Sequence, residues 1–497
     1  MLRPRRGGGL ASTSGYQVTF TTDAGAAAIR VTDASGVTRV ARKVDLYRRE
    51  EVAFRSGKVS LAGTLFVPFG AGPHPAVVLA GGSGPRDRQG LLLMADLFAR
   101  NGIAALAYDK RGSGDSTGSY RTIGADFRSL AEDVVAGVGH LRGRGDIDPG
   151  RVGVWGVSEG GYVVALAAAS PEVAFVVGVS APGVSAIASF LWQNEQALRH
   201  GGVSDAAVSA NTRAMTVLYR AARSLGLVER GQVSWDLDPA AAWARVGQPV
   251  LLIYGEHDRL VPPARSATVI TQALAEAGNA GHSVVRVAGT DHAIFVSEDG
   301  FRSPQDYERG SLGFGAGYLD TMVDWVRATV AGQPSPVPGW RPGAVERVPA
   351  VDGRPWHEHP ALHLGLGAVF VAVFACAVLA PPARGILRRV RHRRPDAWPP
   401  GVRRARRWAW LASASGLLVL LAVTALTVVF AGAPATAIRV GLRALATVTT
   451  LVVVALVAAT AVAWRETWPG RARLGHGAVV ATAVANAAFL AYWRLLG

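Results

Sequence analysis

A serine stands in a short glycine-rich stretch, Gly156-Val157-Ser158-Glu159-Gly160, which Gly161 follows. The stretch fits the pattern G-x-S-x-G and lies between a strand-like run, RVGVWGV, and a helical run, YVVALAAAS. A serine hydroxyl is a weak nucleophile, so it has to project from a tight strand-to-helix turn where flanking glycines let the backbone pass close beneath it. Ser158 is therefore predicted to be the nucleophile of an acyl-transfer reaction.

An acid and a base follow this serine along the chain. Asp258 comes just after the strand-like run QPVLLIYG, and His292 comes just after SVVRVAG. A carboxylate at the end of one strand can orient a histidine at the end of the next, and the order Ser, Asp, His is one that serine hydrolases use. We therefore predict a triad of Ser158, His292 and Asp258, with Glu256 as the rival acid and His257 as the rival base.

The attack of a serine on a carbonyl group creates a negative oxygen that needs two preorganised amide donors. One expected donor is the backbone N–H of Glu159, at the start of the helix behind the serine. The other is expected from the loop after HPAVVLAGG, with Ser83 or Gly82 as the donor. In the segment YDKRGSGDSTG, Asp109 and Arg111 are expected to form a buried ion pair that fixes their turn.

Strand-like and helical runs alternate from Glu50 to about Thr329, and such alternation favours a parallel sheet with helices on both faces. A long helical stretch at about residues 183–246 interrupts this pattern and is predicted to form a cap over the active site. Three cap residues are candidates either for the acyl pocket or for the core of the cap: Trp192, Asn194 and Gln196. The predicted fold class is α/β, a doubly wound and mostly parallel sheet with a helical cap.

Residues 50–330 resemble the α/β-hydrolase superfamily, and more closely its bacterial esterase and serine-aminopeptidase-like branch. Three motifs carry the resemblance: GVSEGG looks like the nucleophile turn, AGGSGPRDRQG like the oxyanion loop, and YDKRGSGDSTG like the turn after the fourth strand. Val157 departs from the pattern because many members have histidine before the serine, which bears on the substrate class and not on the mechanism. The resemblance implies a hydrolase fold and a hydrolase reaction.

The chain is predicted to have four parts: a short β segment over 1–49, the catalytic domain over 50–330, a Pro- and Gly-rich linker over 331–360, and a membrane domain over 361–497. The membrane domain is expected because 49% of all residues are hydrophobic and because the C-terminal part has four apolar stretches of spanning length. These run from Ala361 to Ala380, from Trp408 to Ala431, from Leu442 to Trp464 and from Ala478 to Leu496.

The formal charge of +16 raises nucleic acid and an anionic membrane surface as partners. The arginines cluster beside the apolar stretches, so a lipid bilayer is expected and nucleic acid is not. Ten arginines lie between Pro381 and Trp408, and Arg465, Arg471 and Arg473 follow the third stretch. Because cytoplasmic loops are rich in arginine, this places that loop in the cytoplasm and the catalytic domain outside the cell membrane.

An exported domain needs a signal, and MLRPRRGGGLASTSG has no apolar region that would provide one. We therefore expect the native gene to encode a signal and more of the N-terminal β unit upstream. The alternative is a cytoplasmic catalytic domain with inverted spans.

No cofactor is expected, and no metal is assigned to the histidine-rich stretch at His357, His359 and His363. The single cysteine, Cys376, lies in an apolar run and is not expected to be a nucleophile. The leading functional hypothesis is a membrane-anchored serine hydrolase that cleaves esters of a small or lipid-like acyl substrate. A peptidase or amidase, an acyltransferase, and a transporter or sensor with an inactive hydrolase-like domain remain as alternatives.

Overall fold

The computed structural model describes residues 2–4, 10–12, 17–23, 26–42, 44–120, 126–224, 235, 237–301, 313–334, 337, 339–351, 360–392, 398–429, 435–468 and 470–492. The chain forms two compact units. The first comprises Met1–Ser189 and Gly231–Val348, and the second comprises Phe190–Arg230 and Pro349–Gly497. Most of the segment predicted to form a cap therefore belongs to the same unit as the C-terminal helices. The domain boundaries predicted from the sequence remain predictions.

The first unit begins with an antiparallel five-stranded sheet. All five strands lie within residues 1–49, where the sequence predicts a short β segment. The strands are β1 (Leu2–Pro4), β2 (Leu10–Ser12), β3 (Gln17–Asp23), β4 (Ala26–Thr32) and β5 (Thr38–Arg42).

The main sheet has eight strands in the order β13-β12-β11-β10-β8-β9-β7-β6. The six strands from β8 to β13 pair in parallel, whereas β7 pairs antiparallel with both β6 and β9. They are β6 (Tyr47–Ser56), β7 (Val59–Pro68), β8 (His74–Ala80), β9 (Ala104–Tyr108), β10 (Ile147–Val157), β11 (Val176–Val179), β12 (Val250–Gly255) and β13 (His282–Val287). The predicted fold class, α/β with a mostly parallel sheet, is confirmed.

Both faces of this sheet are buried, which explains the near-continuous apolar runs of its central strands. Alternate residues of β8 point to opposite faces, so Ala76 and Val78 join one hydrophobic core while Val77 and Leu79 join the other. Helices α2 (Phe127–Arg142), α3 (Glu159–Ala167), α6 (Pro239–Trp243) and α7 (Pro263–Glu276) cover the first core, and α1 (Leu92–Arg100) and α8 (Tyr318–Val330) cover the second.

The turn after β9 is held by two buried ion pairs, and the predicted pair of Asp109 with Arg111 is wrong. Asp109 accepts from Arg88 at 2.6 Å, and Arg111 donates to Asp133 at 2.6 Å. The two side chains leave the turn in different directions, because Asp109 faces the segment before α1 and Arg111 faces α2. The turn is thereby bound to the segment before α1 on one side and to α2 on the other.

The second unit is helical. It contains most of α4 (Ala186–His200), then α5 (Asp205–Ser224), α9 (Pro360–Val390), α10 (Pro400–Val429), α11 (Ala435–Ala463) and α12 (Gly470–Tyr492). Helix α5 packs against α9, and the Arg220 Nε donates to the carbonyl of Val351 at 2.9 Å. These contacts explain why the segment Phe190–Arg230 belongs to this unit.

Three of the described helical segments are long and apolar enough to cross a membrane. They are Ala361–Val390, Ala444–Ala463 and Gly470–Ala491, with mean hydropathies of 2.4, 2.4 and 1.5. They correspond to the first, third and fourth predicted spans, so the structure supports three spans where the sequence predicts four. The second predicted span, Trp408 to Ala431, ends on residues outside the described part of the chain.

Candidate active site

Ser158 lies directly after β10 and directly before α3, with φ of 57° and ψ of −118°. A positive φ is costly for a residue with a side chain, so the surroundings must enforce it. The Ser158 N–H donates to the carbonyl of Val179 at 3.0 Å, and a Cβ on Gly156 would lie only 2.3 Å from the carbonyl oxygen of Gly160. The flanking glycines therefore permit a close backbone approach that holds the serine at the tip of the turn.

Asp258 and His292 form a buried acid–base pair. The Asp258 Oδ2 lies 2.9 Å from the His292 Nδ1, and its Oδ1 accepts the N–H groups of Leu260 at 2.8 Å and Val261 at 2.9 Å. Because a carboxylate only accepts, Nδ1 carries the proton and Nε2 of a neutral imidazole is left as an acceptor. The arrangement fixes the ring in the tautomer that a general base requires.

The loop that carries His292 rests on the end of β11. The Ser180 hydroxyl donates to the carbonyl of His292 at 2.7 Å, one residue after Val179 accepts the N–H of Ser158. A Cβ on Gly255 would lie 2.1 Å from the carbonyl oxygen of Asp291, so only glycine lets this loop lie against β12. Consecutive residues at the end of β11 thus hold the serine turn and the histidine loop at the same edge of the sheet.

The rival acid and the rival base have other partners. Glu256 accepts the N–H of Gly289 at 2.9 Å and pairs with Arg286 at 3.2 Å. The hydrogen bond from Gly289 lowers the pKa of this carboxyl group. The His257 Nδ1 lies 2.9 Å from the carbonyl of Ser297. Both residues therefore shape the loops beside the site, whereas the described contacts of the His292 ring run to Asp258.

The predicted oxyanion loop lies beside Ser158. A Cβ built on Gly82 would be 3.6 Å from the Cβ of Ser158, and the carbonyl of Ser83 accepts from the Arg86 Nε at 2.9 Å. Glu159 is the first residue of α3, where backbone N–H groups lack partners inside the helix. The structure thus brings all three predicted oxyanion residues, Gly82, Ser83 and Glu159, to the neighbourhood of Ser158.

A buried network of three side chains joins this loop to the serine turn, and sequence reasoning did not find it. The Lys110 Nζ donates to the Glu159 Oε1 at 2.8 Å, to the carbonyl of Gly82 at 2.6 Å and to that of Gly84 at 3.2 Å. The Tyr120 hydroxyl donates to the Glu159 Oε2 at 2.8 Å and accepts the N–H of Gly84 at 2.9 Å. The one available signal was a lysine two residues after the end of an apolar strand, in AYDKRG.

The environment of this network differs from that of surface charges. Lys110 is only 6% exposed, and its desolvation lowers the pKa of the ammonium group, while the carboxylate of Glu159 opposes that shift. Desolvation also raises the pKa of Tyr120 above its usual range, so its hydroxyl stays protonated. Lys110 and Glu159 are buried and Tyr120 is half-buried, so these charge-assisted hydrogen bonds are largely shielded from water, and such shielding strengthens them.

Other predicted residues lie elsewhere or are not described. The Asn194 side chain donates to the Asn211 Oδ1 at 2.6 Å, between α4 and α5. Trp192 is buried and Gln196 is half-exposed within the second unit. His357 and His359 lie outside the described residues, and the described residues contain no group of three His, Cys, Asp or Glu side chains placed to hold a metal ion.

Residues 93–310 match the sequence model of the prolyl oligopeptidase family. The chain is 37% identical over 128 residues to the quorum-quenching protein AidA of Acinetobacter baumannii, which covers 26% of this chain and 42% of that one. It is 35% identical over 103 residues to the thiohydrolase aneE of Aspergillus aculeatus, which covers 21% of this chain and 31% of that one. The chain thus spans less than half the length of these curated relatives.

Solved structures with a similar backbone include a 2,6-dihydroxy-pseudo-oxynicotine hydrolase, 18% identical with a TM-score of 0.38 over 59% of this chain and 71% of that one. A puromycin-hydrolyzing peptidase of Mycobacterium tuberculosis is 18% identical, with a TM-score of 0.41 over 66% of this chain and 47% of that one. The sheet order and the strand-to-helix turn at Ser158 are those of an α/β-hydrolase fold, and residues 93–310 are similar in sequence to the prolyl oligopeptidase family.

Proposed function

We propose that the chain is a membrane-anchored serine hydrolase that cleaves carboxylic esters, with Ser158 as nucleophile, His292 as general base and Asp258 as the residue that orients it. The observation that carries the proposal is the hydrogen bond of 2.9 Å between the His292 Nδ1 and the Asp258 Oδ2, at the sheet edge where Ser158 stands. Such a pair leaves Nε2 to accept a proton from a serine hydroxyl.

The proposed reaction has two halves. Nε2 of His292 takes the hydroxyl proton while the Ser158 Oγ bonds to the ester carbon, and the resulting oxyanion accepts from the N–H groups of Glu159 and of Ser83 or Gly82. Collapse breaks the bond to the alcohol, which leaves with the proton from Nε2. Water then gives a proton to Nε2 and attacks the acyl-enzyme, and the acid leaves as the serine regains its proton.

Cleavage of peptide or amide bonds is the second candidate, because the matched family model is that of the prolyl oligopeptidases. The same triad cuts both kinds of bond, and the two candidates differ in the leaving group that Nε2 has to protonate.

Membrane anchoring and its orientation also belong to the proposal. Three helices of spanning length and composition support anchoring, and the arginines around α9 and α10 favour a cytoplasmic position for the end of the bundle that carries them. The first unit would then lie on the outer side of the cell membrane.

The first prediction concerns the triad. Ser158→Ala and His292→Ala should each abolish labelling by a fluorophosphonate. The residual ester hydrolysis of the double variant should be no slower than that of either single one, because the two residues act as a unit. Asp258→Asn should slow labelling by about 10⁴-fold, and the matched variant Glu256→Gln by only a few-fold. A larger loss in Glu256→Gln would make the acid assignment wrong.

The second prediction concerns the substrate. The full chain should hydrolyse p-nitrophenyl esters of short and medium acyl chains, with turnover that Ser158→Ala removes, and should leave aminoacyl p-nitroanilides nearly untouched. Turnover of the anilides alone, measured by release of the same chromophores, would replace the esterase proposal with that of a peptidase.

The third prediction concerns orientation. Protease added to intact cells should digest the first unit, as followed by an antibody against the segment between Glu50 and Ser189. A cytoplasmic protein in the same cells is the control for membrane integrity. Protection of the first unit until lysis would mean that the spans are inverted.

A further inference from the structure

The first inference concerns the loop over residues 82–84 and rests on the proposed function of Ser158. A peptide unit is planar and trans, so its C=O and N–H groups point in opposite directions. The carbonyl of Gly82 shares a peptide unit with the N–H of Ser83. Because Lys110 holds that carbonyl at 2.6 Å, it also fixes the direction of the Ser83 N–H, the predicted oxyanion donor.

The neighbouring peptide units are held in the same way. Tyr120 accepts the N–H of Gly84 at 2.9 Å, and Lys110 holds the carbonyl of Gly84 at 3.2 Å. Lys110 and Tyr120 both donate hydrogen bonds to the carboxylate of Glu159. The backbone N–H of Glu159 is the other predicted oxyanion donor. One buried carboxylate therefore ties the two halves of the oxyanion site to each other.

We propose that Lys110 is a positioning residue for the oxyanion hole, which it aligns through the carbonyl of Gly82 while Glu159 and Tyr120 hold it in place. Lys110 touches no reacting atom in this role. Loss of the Lys110 side chain should weaken stabilisation of the transition state, because a misdirected N–H of Ser83 hydrogen-bonds poorly to the oxyanion. Binding of the substrate in the ground state should be nearly unchanged.

The test compares Lys110→Met with Lys58→Met, which removes an exposed lysine from the same unit. Lys110→Met should lower kcat for p-nitrophenyl butyrate, and the rate of fluorophosphonate labelling, by about 10²-fold, with KM changed by less than about two-fold. Lys58→Met should match the unaltered chain. Tyr120→Phe keeps the ring and removes the hydroxyl that binds Glu159 and Gly84, so its kcat and labelling rate should lie between those of the two lysine variants.

Each outcome decides the proposal. Unchanged labelling in Lys110→Met, or a rise in KM equal to the fall in kcat, would overturn the positioning role. Unfolding of Lys110→Met would leave the decision to Tyr120→Phe, whose kcat must fall at constant KM. Absence of labelling in the unaltered chain would instead refute the proposed function, so the two failures are distinguishable.

A cavity in the second unit carries a second, independent inference, which presupposes only that this unit lies in a membrane. The cavity has a volume of about 1130 Å³ and lies among α9, α10 and α12. On α9 its lining runs from Ala372 to Arg384, which is roughly 18 Å at 1.5 Å per residue. It is therefore long enough for a head group and the first part of an acyl chain.

The two ends of the cavity differ in chemistry. Ala372, Val373 and Val479 line the apolar end, whereas one arginine from each of the three helices lines the other: Arg384, Arg406 and Arg471. The Arg406 guanidinium lies 4.5 Å from the ring centroid of Trp398, which fixes its position. A site with an apolar end and three cations complements an anionic lipid.

The acidic and tryptophan side chains described beside the cavity have backbone partners. Glu466, the described acidic residue of this region, accepts the N–H groups of Gly401 at 3.1 Å and Val402 at 3.0 Å, at the start of α10. Trp410 donates to the carbonyl of Val378 at 3.3 Å, and Trp468 donates to that of Ala463 at 2.8 Å. The side chains of Trp410 and Trp468 are thus held by backbone carbonyls, and the carboxylate of Glu466 is bound to the N-terminal end of α10.

We infer that this cavity binds one anionic phospholipid, with the phosphate among the three arginines and an acyl chain along α9. Basic pockets between membrane helices on the arginine-rich side suit such head groups. Bulk attraction of lipid to the many arginines of this end would give no dependence on which arginines are removed.

The test is native mass spectrometry of the full chain carrying Ser158→Ala, mixed with equal amounts of phosphatidylglycerol and phosphatidylcholine of matched acyl chains. Phosphatidylglycerol should be retained at least about ten-fold more. The preference should vanish when the lining arginines are changed together, and persist when three others of the same region are changed. These two sets are Arg384→Gln, Arg406→Gln and Arg471→Gln against Arg389→Gln, Arg404→Gln and Arg465→Gln.

A further variant, Ala377→Phe, fills the cavity without altering charge and should also remove the preference, so misfolding of the arginine variant cannot hide the result. Equal losses in the two arginine sets would mean bulk attraction and overturn the inference. Displacement of the lipid by an equal amount of glycerol phosphate would assign the site to a soluble phosphate. The Ser158→Ala background keeps these outcomes apart from the proposed hydrolysis.

Discussion

The positive φ of Ser158 constrains the whole carboxyl edge of the main sheet. The turn can hold that conformation only while the chain before and after it approaches within contact distance, as it does where Gly156 meets Gly160. Gly160 in turn lies against the carbonyl of Ala80 at the end of β8, and the Ser158 N–H is bound to Val179 at the end of β11. The strands on either side of β10 thus supply the support that the strained residue requires.

The sequence predicted the site best where the residues that carry the chemistry lie next to a recognisable strand or helix. G-x-S-x-G between a strand and a helix predicts both the nucleophile and the turn, and Asp258 and His292 follow strands whose apolar runs are long enough to recognise. The alternation of strands and helices predicts the fold class for the same reason. In each case the signal comes from residues close together in the chain.

The remaining features depend on contacts between distant segments. The pairing of Asp109 with Arg88 and of Arg111 with Asp133 follows from which helix packs on which face, and spacing alone favoured the wrong pair. Likewise, nothing near Lys110 in the chain indicates that its ammonium group meets Gly82 and Glu159. The grouping of Phe190–Arg230 with the C-terminal helices is a packing result of the same kind, since it rests on contacts of α5 with α9.

The hydrogen bonds of the site also bear on how the chain folds. Those of Lys110 to Glu159, of Ser180 to His292 and of Asp258 to His292 all join residues that lie far apart in sequence. Parallel strands need long crossovers, and structures rich in such distant contacts fold slowly. During synthesis, the first strands therefore leave the ribosome long before the histidine that completes the site. For part of that interval the apolar edges of β8 and β10 have no partner strand beyond them, and unpaired strand edges of this kind promote aggregation in partly folded chains.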